Sequence, residues 1–282
     1  MPADMAVLLA DLSEESAALD AIIAPLEDDQ YLLPTPAAGW SIADQVSHLA
    51  FFDEAALLAA TDPDRFRAEA ATAIASGTAS PDDIAARYRG TPGTELRDWL
   101  RAARRHLLTG FAAIEPSRCL PWYGPDMSAA SSVTARLMET WAHGQDIADA
   151  LGVTRQPTAR LRHVAHIGVN TVGFSFALRS LPPPDQPIRV ELTGPGGEEW
   201  TWGPPGADNV VRAPALDFCL VVTQRRHPAD TALVAEGSLA RQWISIAQAF
   251  AGAPGPGRPP SGVPLISETS SPARQSPEAP AT

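Results

Sequence analysis

The chain has no lysine: all 21 of its basic residues are arginine. That absence removes lysine Schiff bases to carbonyl substrates or pyridoxal phosphate, the Walker-A lysine on a β/γ-phosphate, and a lysine general base. The arginines are outnumbered by 33 acidic residues, for a formal charge of −12, so the broad basic footprint of a generic nucleic-acid binder is missing. Cysteine is nearly as scarce. Cys119 and Cys219 stand far apart with no CxxC, which excludes a zinc knuckle or disulfide framework and fits a reducing cytoplasm. No apolar run approaches the roughly 18 residues a membrane span needs. Met1 to Leu12 carries Asp4 and Asp11 instead of a basic leader, so no signal peptide is expected. HExxH, GxSxG and GxGxxG are also absent. What is abundant is alanine beside arginine, the mark of GC-rich coding.

The first 180 residues read as successive helices. Leu8, Leu12, Leu19 and Ile22 recur near a 3.6-residue period until Pro25. After a loop through Pro34, Pro36 and Gly39, Ser41 and Asp44 form a capping-box pattern ahead of the Ile42, Val46, Leu49, Ala56 stripe. Asp62-Pro63 and Ser80-Pro81 each place a capping side chain before a proline, predicting two short helices between 63 and 90. Thr91-Pro92 opens a long helix that Pro116 must end. A polar loop over 117–126 leads to Ser128 and a strong helix closed at Gly152, and a further helix is predicted from Thr158 to Leu181. The triple proline 182–184 marks a domain boundary. Beyond it Ile188, Val190 and Leu192 alternate, Gly194-Pro195-Gly196-Gly197 turns, and Trp200 and Trp202 alternate on the return, a hairpin signature. Val210-Val211 adds a possible strand, and 213–223 and 238–250 read as helices. The predicted domains are thus 1–181, helical, and 185–252, small and α/β. The Pro/Ser-rich stretch 253–282 is expected to be a disordered tail.

Among six histidines, His143 stands four residues after Glu139, so the two stack on one helix face. Arg136, Glu139, His143 and Asp146 form a polar row flanking the apolar stripe of that helix. Such a pair is either a surface acid–histidine contact or half of a metal site. His48 lies beside the stripe of the second helix, and Asp53 falls near the middle of its apolar face, where an unpaired carboxylate is costly unless a cavity or cationic centre lies nearby. His48, Glu139 and His143 therefore make a candidate triad. Three protein ligands leave a fourth position open, as in catalytic zinc sites.

These residues carry a resemblance. Gly39-Trp40-Ser41-Ile42 to His48-Leu49, followed by Thr134-Ala135-Arg136-Leu137-Met138-Glu139-Thr140-Trp141-Ala142-His143-Gly144-Gln145-Asp146, resembles the mycothiol-dependent maleylpyruvate isomerase family within the DinB-like metalloproteins. The likeness spans about residues 5–255. It implies a mainly α fold, with an N-terminal DinB-like four-helix bundle and a smaller sterol-carrier-like α/β domain. It also implies a divalent metal, zinc by its ligand set, on His48, Glu139 and His143, and mycothiol as the thiol cosubstrate.

The chemistry of a thiol site agrees with that implication. A free thiol, with a pKa of about 8.5, is mostly protonated at neutral pH, and metal coordination deprotonates it. Asp146 could accept the second N–H of His143 and fix its ring. Arg136 could pair with Glu139 or with a substrate carboxylate, and Arg225 and Arg226 could bind an anionic part of the cofactor. With Asp53, Arg136 and Asp146 as catalytic candidates, the expected activity is a cytoplasmic mycothiol S-transferase acting on a small electrophile. A mycothiol-dependent cis–trans isomerase, a metal-dependent hydrolase and a non-catalytic binding protein are the alternatives. The expected partners are small molecules, without nucleic acid or membrane, for a monomer or homodimer.

Overall fold

The computed structural model describes residues 4–255 and 257–261. Helix α1 (Met5–Ile23) begins where the Asp4 carboxylate accepts the amides of Ala6 and Val7. Helix α2 (Ile42–Thr61) begins at the complete capping box of Ser41 and Asp44, and α3 (Pro63–Ala75) and α4 (Pro81–Ala86) each follow a capping side chain with proline in the first turn. Helix α5 (Gly93–Phe111) is strongly amphipathic, burying Leu96, Leu100, Leu107 and Phe111. The loop over 117–126 contains one short strand, β1 (Cys119–Leu120), which pairs antiparallel with β2 (Met127–Ser128) just after it. Two-residue strands show no alternation, so the pattern in the sequence could not reveal them.

Helix α6 (Ala129–Leu151) starts on the Ser128 hydroxyl and stops at Gly152, whose φ of +66° supplies the left-handed cap that ends many helices. The single helix expected over 158–181 is instead two, α7 (Leu161–Asn170) and α8 (Val172–Leu178). The break falls at Thr171, whose hydroxyl donates back to the carbonyls of Ile167 and Gly168 and competes with helix continuation. The four long helices α1, α2, α5 and α6 pack side by side, α2 lying against both α5 and α6, and α1 against α6 and α5.

The second half contains a mixed sheet in the order β4 (Glu199–Trp202), β3 (Ile188–Thr193), β5 (Asn209–Pro214), β6 (Val234–Glu236). The expected hairpin forms with Leu192 opposite Trp200, while β3 and β5 run parallel. Helix α9 (Ala215–Val222) follows β5. The helix expected over 238–250 ends earlier, as α10 (Ser238–Ile246), and an extended segment follows in which Ala249 N–H donates to Val222 O.

One apolar cluster runs from Leu12 and Leu137 through Val164 and Phe176 to Phe218 and Trp243, so the helices and the sheet share buried surface. No helix among the described residues is long and apolar enough to cross a membrane. The expected tail over 253–282 lies mostly outside the described residues. In its described part, Arg258 pairs with Asp146 and Asp149, and the Ser261 amide donates to Asp230.

Candidate metal centre

Two capped helices bring the triad together. The capping box anchors the first turn of α2, and His48 lies near the end of its second turn. From α6, Glu139 and His143 project one helical turn apart. His48 Nε2 is 3.3 Å and His143 Nε2 is 3.0 Å from the same oxygen, Glu139 Oε2. One ligand atom from each residue falls within a 4.8 Å spread, the only such cluster of three among the described residues. Trp40 stacks on the His143 ring at 5.8 Å and meets His48 edge-on at 5.3 Å, while Phe52 closes the other side of His48 at 4.6 Å. The Glu139 side chain keeps 17% of its surface exposed, which leaves the cluster reachable from solvent.

A chain of hydrogen bonds sets the tautomer of His143. The Thr35 hydroxyl donates to the Trp40 carbonyl at 2.9 Å and accepts from Gln45 Nε2 at 2.9 Å, so the amide oxygen of Gln45 is turned toward His143. That oxygen meets Nδ1. A carbonyl oxygen can only accept, so Nδ1 carries the proton and Nε2 is left with its lone pair facing Glu139. Metal-binding histidines are held in this way, through the nitrogen that does not ligate. Two imidazole nitrogens and one carboxylate oxygen are a suitable donor set for zinc-like divalent cations.

The electrostatics match that use. Burial pushes the His48 pKa down to about 4, assisted by His143 and Arg136 and opposed by Glu139, so the ring is neutral near pH 7. Burial alone would raise the carboxyl of Glu139, but its close contacts with the His143 and His48 rings and the charge of Arg136 hold it well below the usual carboxylate range. A neutral His48 ring beside an ionised carboxylate is in the protonation state a cation requires. His48 Nδ1 is buried without a partner.

The remaining candidates are distributed differently from the sequence expectation. Asp146 does not reach His143. Three residues further round α6, it accepts from Arg225 Nη2 at 2.8 Å and pairs with Arg258, and Gln45 takes the orienting role assigned to it. Asp53 is fully buried, and the cationic centre beside it is Arg104 of α5, whose Nε and Nη2 lie 2.6 and 3.1 Å from its two oxygens. Arg104 also donates to Thr140 Oγ1 at 2.9 Å, so Asp53 belongs to a network that ties α2, α5 and α6 together rather than to the metal cluster. Arg226 forms a two-pronged pair with Asp149 at 2.6 and 2.8 Å, and Arg225 is held by Asp146. The pair expected to bind a cofactor anion is engaged with acids of α6. Arg136 does border the triad, its guanidinium lying against Phe52 and Trp122. On the loop before α6, Trp122 and Tyr123 pack on Phe52 and Phe66, whereas Asp126 turns outward to Arg67. Cys219 is buried, and burial raises its thiol far above the ordinary value.

Residues 12–148 match the family model of the mycothiol maleylpyruvate isomerase N-terminal domain, and residues 184–236 match a model described as wyosine base formation. Two uncharacterized proteins, from two strains of Mycobacterium tuberculosis, are each 49% identical over 258 residues, covering 91% of this chain and all of the relative. Crystal structures of the mycothiol-dependent maleylpyruvate isomerase and of a mutant of it are similar in fold, with TM-scores of 0.57 and 0.56 at 13% and 12% identity. Each comparison covers 83% of this chain and 93% of the other.

Proposed function

Since the chain belongs to the mycothiol maleylpyruvate isomerase family, we propose that it is a metal-dependent, thiol-using enzyme, and specifically a mycothiol S-transferase acting on a small electrophile. The observation that carries this reading is the convergence of His48 Nε2 and His143 Nε2 on Glu139 Oε2, with Gln45 holding His143 in the tautomer a ligand needs. A divalent cation on these three residues would supply a Lewis-acid position at which a thiol loses its proton near neutral pH. Glu139 contributes one negative charge, so the site is less cationic than three histidines would make it and a bound sulfur remains more nucleophilic. Trp40 and Phe52 wall the cluster and limit water around it.

In this reading residues 1–181 form a DinB-like four-helix bundle and residues 185–252 a sterol-carrier-like α/β unit. The spans of the two family models, which end at 148 and begin at 184, support that division. Cis–trans isomerisation is the second reading, favoured by the fold shared with the maleylpyruvate isomerase structures. In both, the same thiol adds to an electrophilic carbon, and the two differ in whether it leaves again.

The test is metal analysis of the purified chain beside His48→Ala and Glu139→Gln, followed by titration with mycothiol. Stoichiometric metal in the native chain, lost from both variants with the helical content unchanged, and thiol binding that depends on the metal are expected. Full metal in His48→Ala would sink the triad, and metal without thiol affinity would turn the reading to hydrolysis or to ligand binding.

A further inference from the structure

A cavity of about 380 Å³, within the range of small-molecule sites, lies where the ends of α8 and α9 meet β6, α10 and the segment 255–258. Segments far apart in sequence each contribute an arginine to its lining: Arg179 just after α8, Arg226 after α9, Arg241 on α10 and Arg258 in the closing segment. No aspartate or glutamate lines it, in a chain whose acids outnumber its arginines 33 to 21. The arginines differ in what holds them. Arg226 pairs with Asp149, and Arg258 with Asp149 and Asp146, the latter shared with Arg225. Arg179 gives an N–H to the Gly255 carbonyl and has no acid within ion-pair distance among the described residues. Arg241, exposed on α10, makes no side-chain hydrogen bond or ion pair among them. His227 adds a donor, because its Nδ1 accepts the Ala229 amide at 3.0 Å and the ring proton is therefore on Nε2. Much of the remaining wall is apolar, from Val221, Leu233 and Ile244.

We propose that this cavity is a second binding site, separate from the metal centre, for a phosphate monoester on a compact apolar body. Charge sets the head group. Arg179, Arg225, Arg226, Arg241 and Arg258 gather here against Asp146, Asp149 and the nearby Asp230, an excess of two positive charges that a dianion balances. Shape selects phosphate over carboxylate. The two oxygens of a carboxylate lie in one plane and are satisfied by a single guanidinium fork, whereas donors reaching one cavity from separate segments suit a tetrahedral group whose oxygens face different directions. Arg179 spends one of its five N–H groups on Gly255 and keeps the others for a ligand. The apolar walls select the body: inorganic phosphate leaves Val221, Leu233 and Ile244 wet, while an aryl or alkyl ester covers them. None of His48, Glu139 and His143 lines the cavity, so the proposal does not depend on the metal or on the thiol.

Calorimetric titration of the full chain with phenyl phosphate, phenol and inorganic phosphate tests the site, first without metal and then with zinc and mycothiol present. Phenyl phosphate should bind with one-to-one stoichiometry, about tenfold or more tightly than either fragment, and more weakly as salt rises. Arg241→Met and Arg179→Met should each weaken it by about tenfold or more, the loss expected for a hydrogen bond to a charged group, with circular dichroism unchanged. Arg105→Met, which removes an exposed arginine of α5, should bind as wild type does. Should Arg179→Met fail to fold, Arg241→Met alone decides, since the Arg241 side chain holds no other described residue. Phenol binding as tightly as its phosphate, an affinity that survives the loss of Arg241, or an equal loss in Arg105→Met overturns the site. Phenyl phosphate that binds only with zinc, or that mycothiol displaces, belongs to the metal centre and overturns the proposal of a separate site, whatever becomes of the metal and thiol reading.

Discussion

Replacing Gln45 by leucine tests whether the ring of His143 is oriented as the structure shows. Gln45 is fully buried, and its amide joins Thr35 on one side to His143 Nδ1 on the other. Leucine keeps the volume and removes the acceptor, leaving the Nδ1 proton with nothing to hold it and the ring free to turn its nitrogens. Loss of an outer partner of a ligating histidine costs about 10- to 100-fold in metal affinity, or about 1.4–2.7 kcal/mol. Asp146→Asn is the matched control, because the Asp146 carboxylate contacts Arg225 and Arg258 and not His143. Competition against a chromophoric chelator at neutral pH measures both variants, with circular dichroism to show that each is folded. Gln45→Leu should lose one to two orders of magnitude, while Asp146→Asn stays within about threefold of wild type. The opposite ranking would refute the reasoning and restore Asp146 as the orienting group.

Two further perturbations address stability. Asp53→Asn or Arg104→Met leaves half of a buried ion pair, at a cost of about 3–5 kcal/mol in urea unfolding, whereas Asp53→Leu combined with Arg104→Met should recover most of that loss. A double variant no more stable than the singles would show that Ser16 and Thr140, not the charge pair, carry the network. For Asp149, burial opposes ionisation, but hydrogen bonds from Arg226, Gln145 and Arg258 prevail and lower its pKa from 3.8. A carboxyl depressed in the folded state stabilises the protein above its unfolded pKa and loses that contribution as pH falls through the folded value. Asp149→Asn should therefore be less stable than wild type near pH 6, with the gap closing as the medium is acidified below 3.8, and a gap independent of pH would contradict the pairing.

Helix boundaries were legible where a side chain performs the capping. Ser41 with Asp44, Asp62 before Pro63, Ser80 before Pro81, Ser128 and Gly152 each act within three residues of the end they specify, and each marks the observed end to within a residue. The alternation of β3 and β4 was legible for the same reason, since their turn lies between them. What escaped notice depends on partners distant in sequence or on runs too short to show a period. The strands β1 and β2 exist because Cys119 finds Ser128, and β6 because Ala235 finds Val211. The interruption at Thr171 was readable in principle, from a hydroxyl able to bond back to the preceding turn, but threonine does this in many helices that continue.

The site divides along the same line. Glu139 and His143 share a helix face, so their proximity follows from the helical repeat, whereas the residues alone make His48 a candidate third ligand and no more, because the rotation of α2 against α6 is a tertiary quantity. The burial cost of Asp53 correctly demanded a cation, but that demand says nothing of which cation, and α5 provides Arg104. Gln45 lies three residues before His48, on the same side of α2, and carries no charge to draw attention to it. Its function appears only once Thr35 fixes which end of the amide faces His143. With no lysine in the chain, arginine performs every structural cationic task around α6: Arg104 for Asp53, Arg225 and Arg258 for Asp146, and Arg226 for Asp149. Each of these could be assigned a ligand from sequence alone, and each has an internal acid instead. Among the described residues Arg136 has none, and its buried Nη1 is left without a partner.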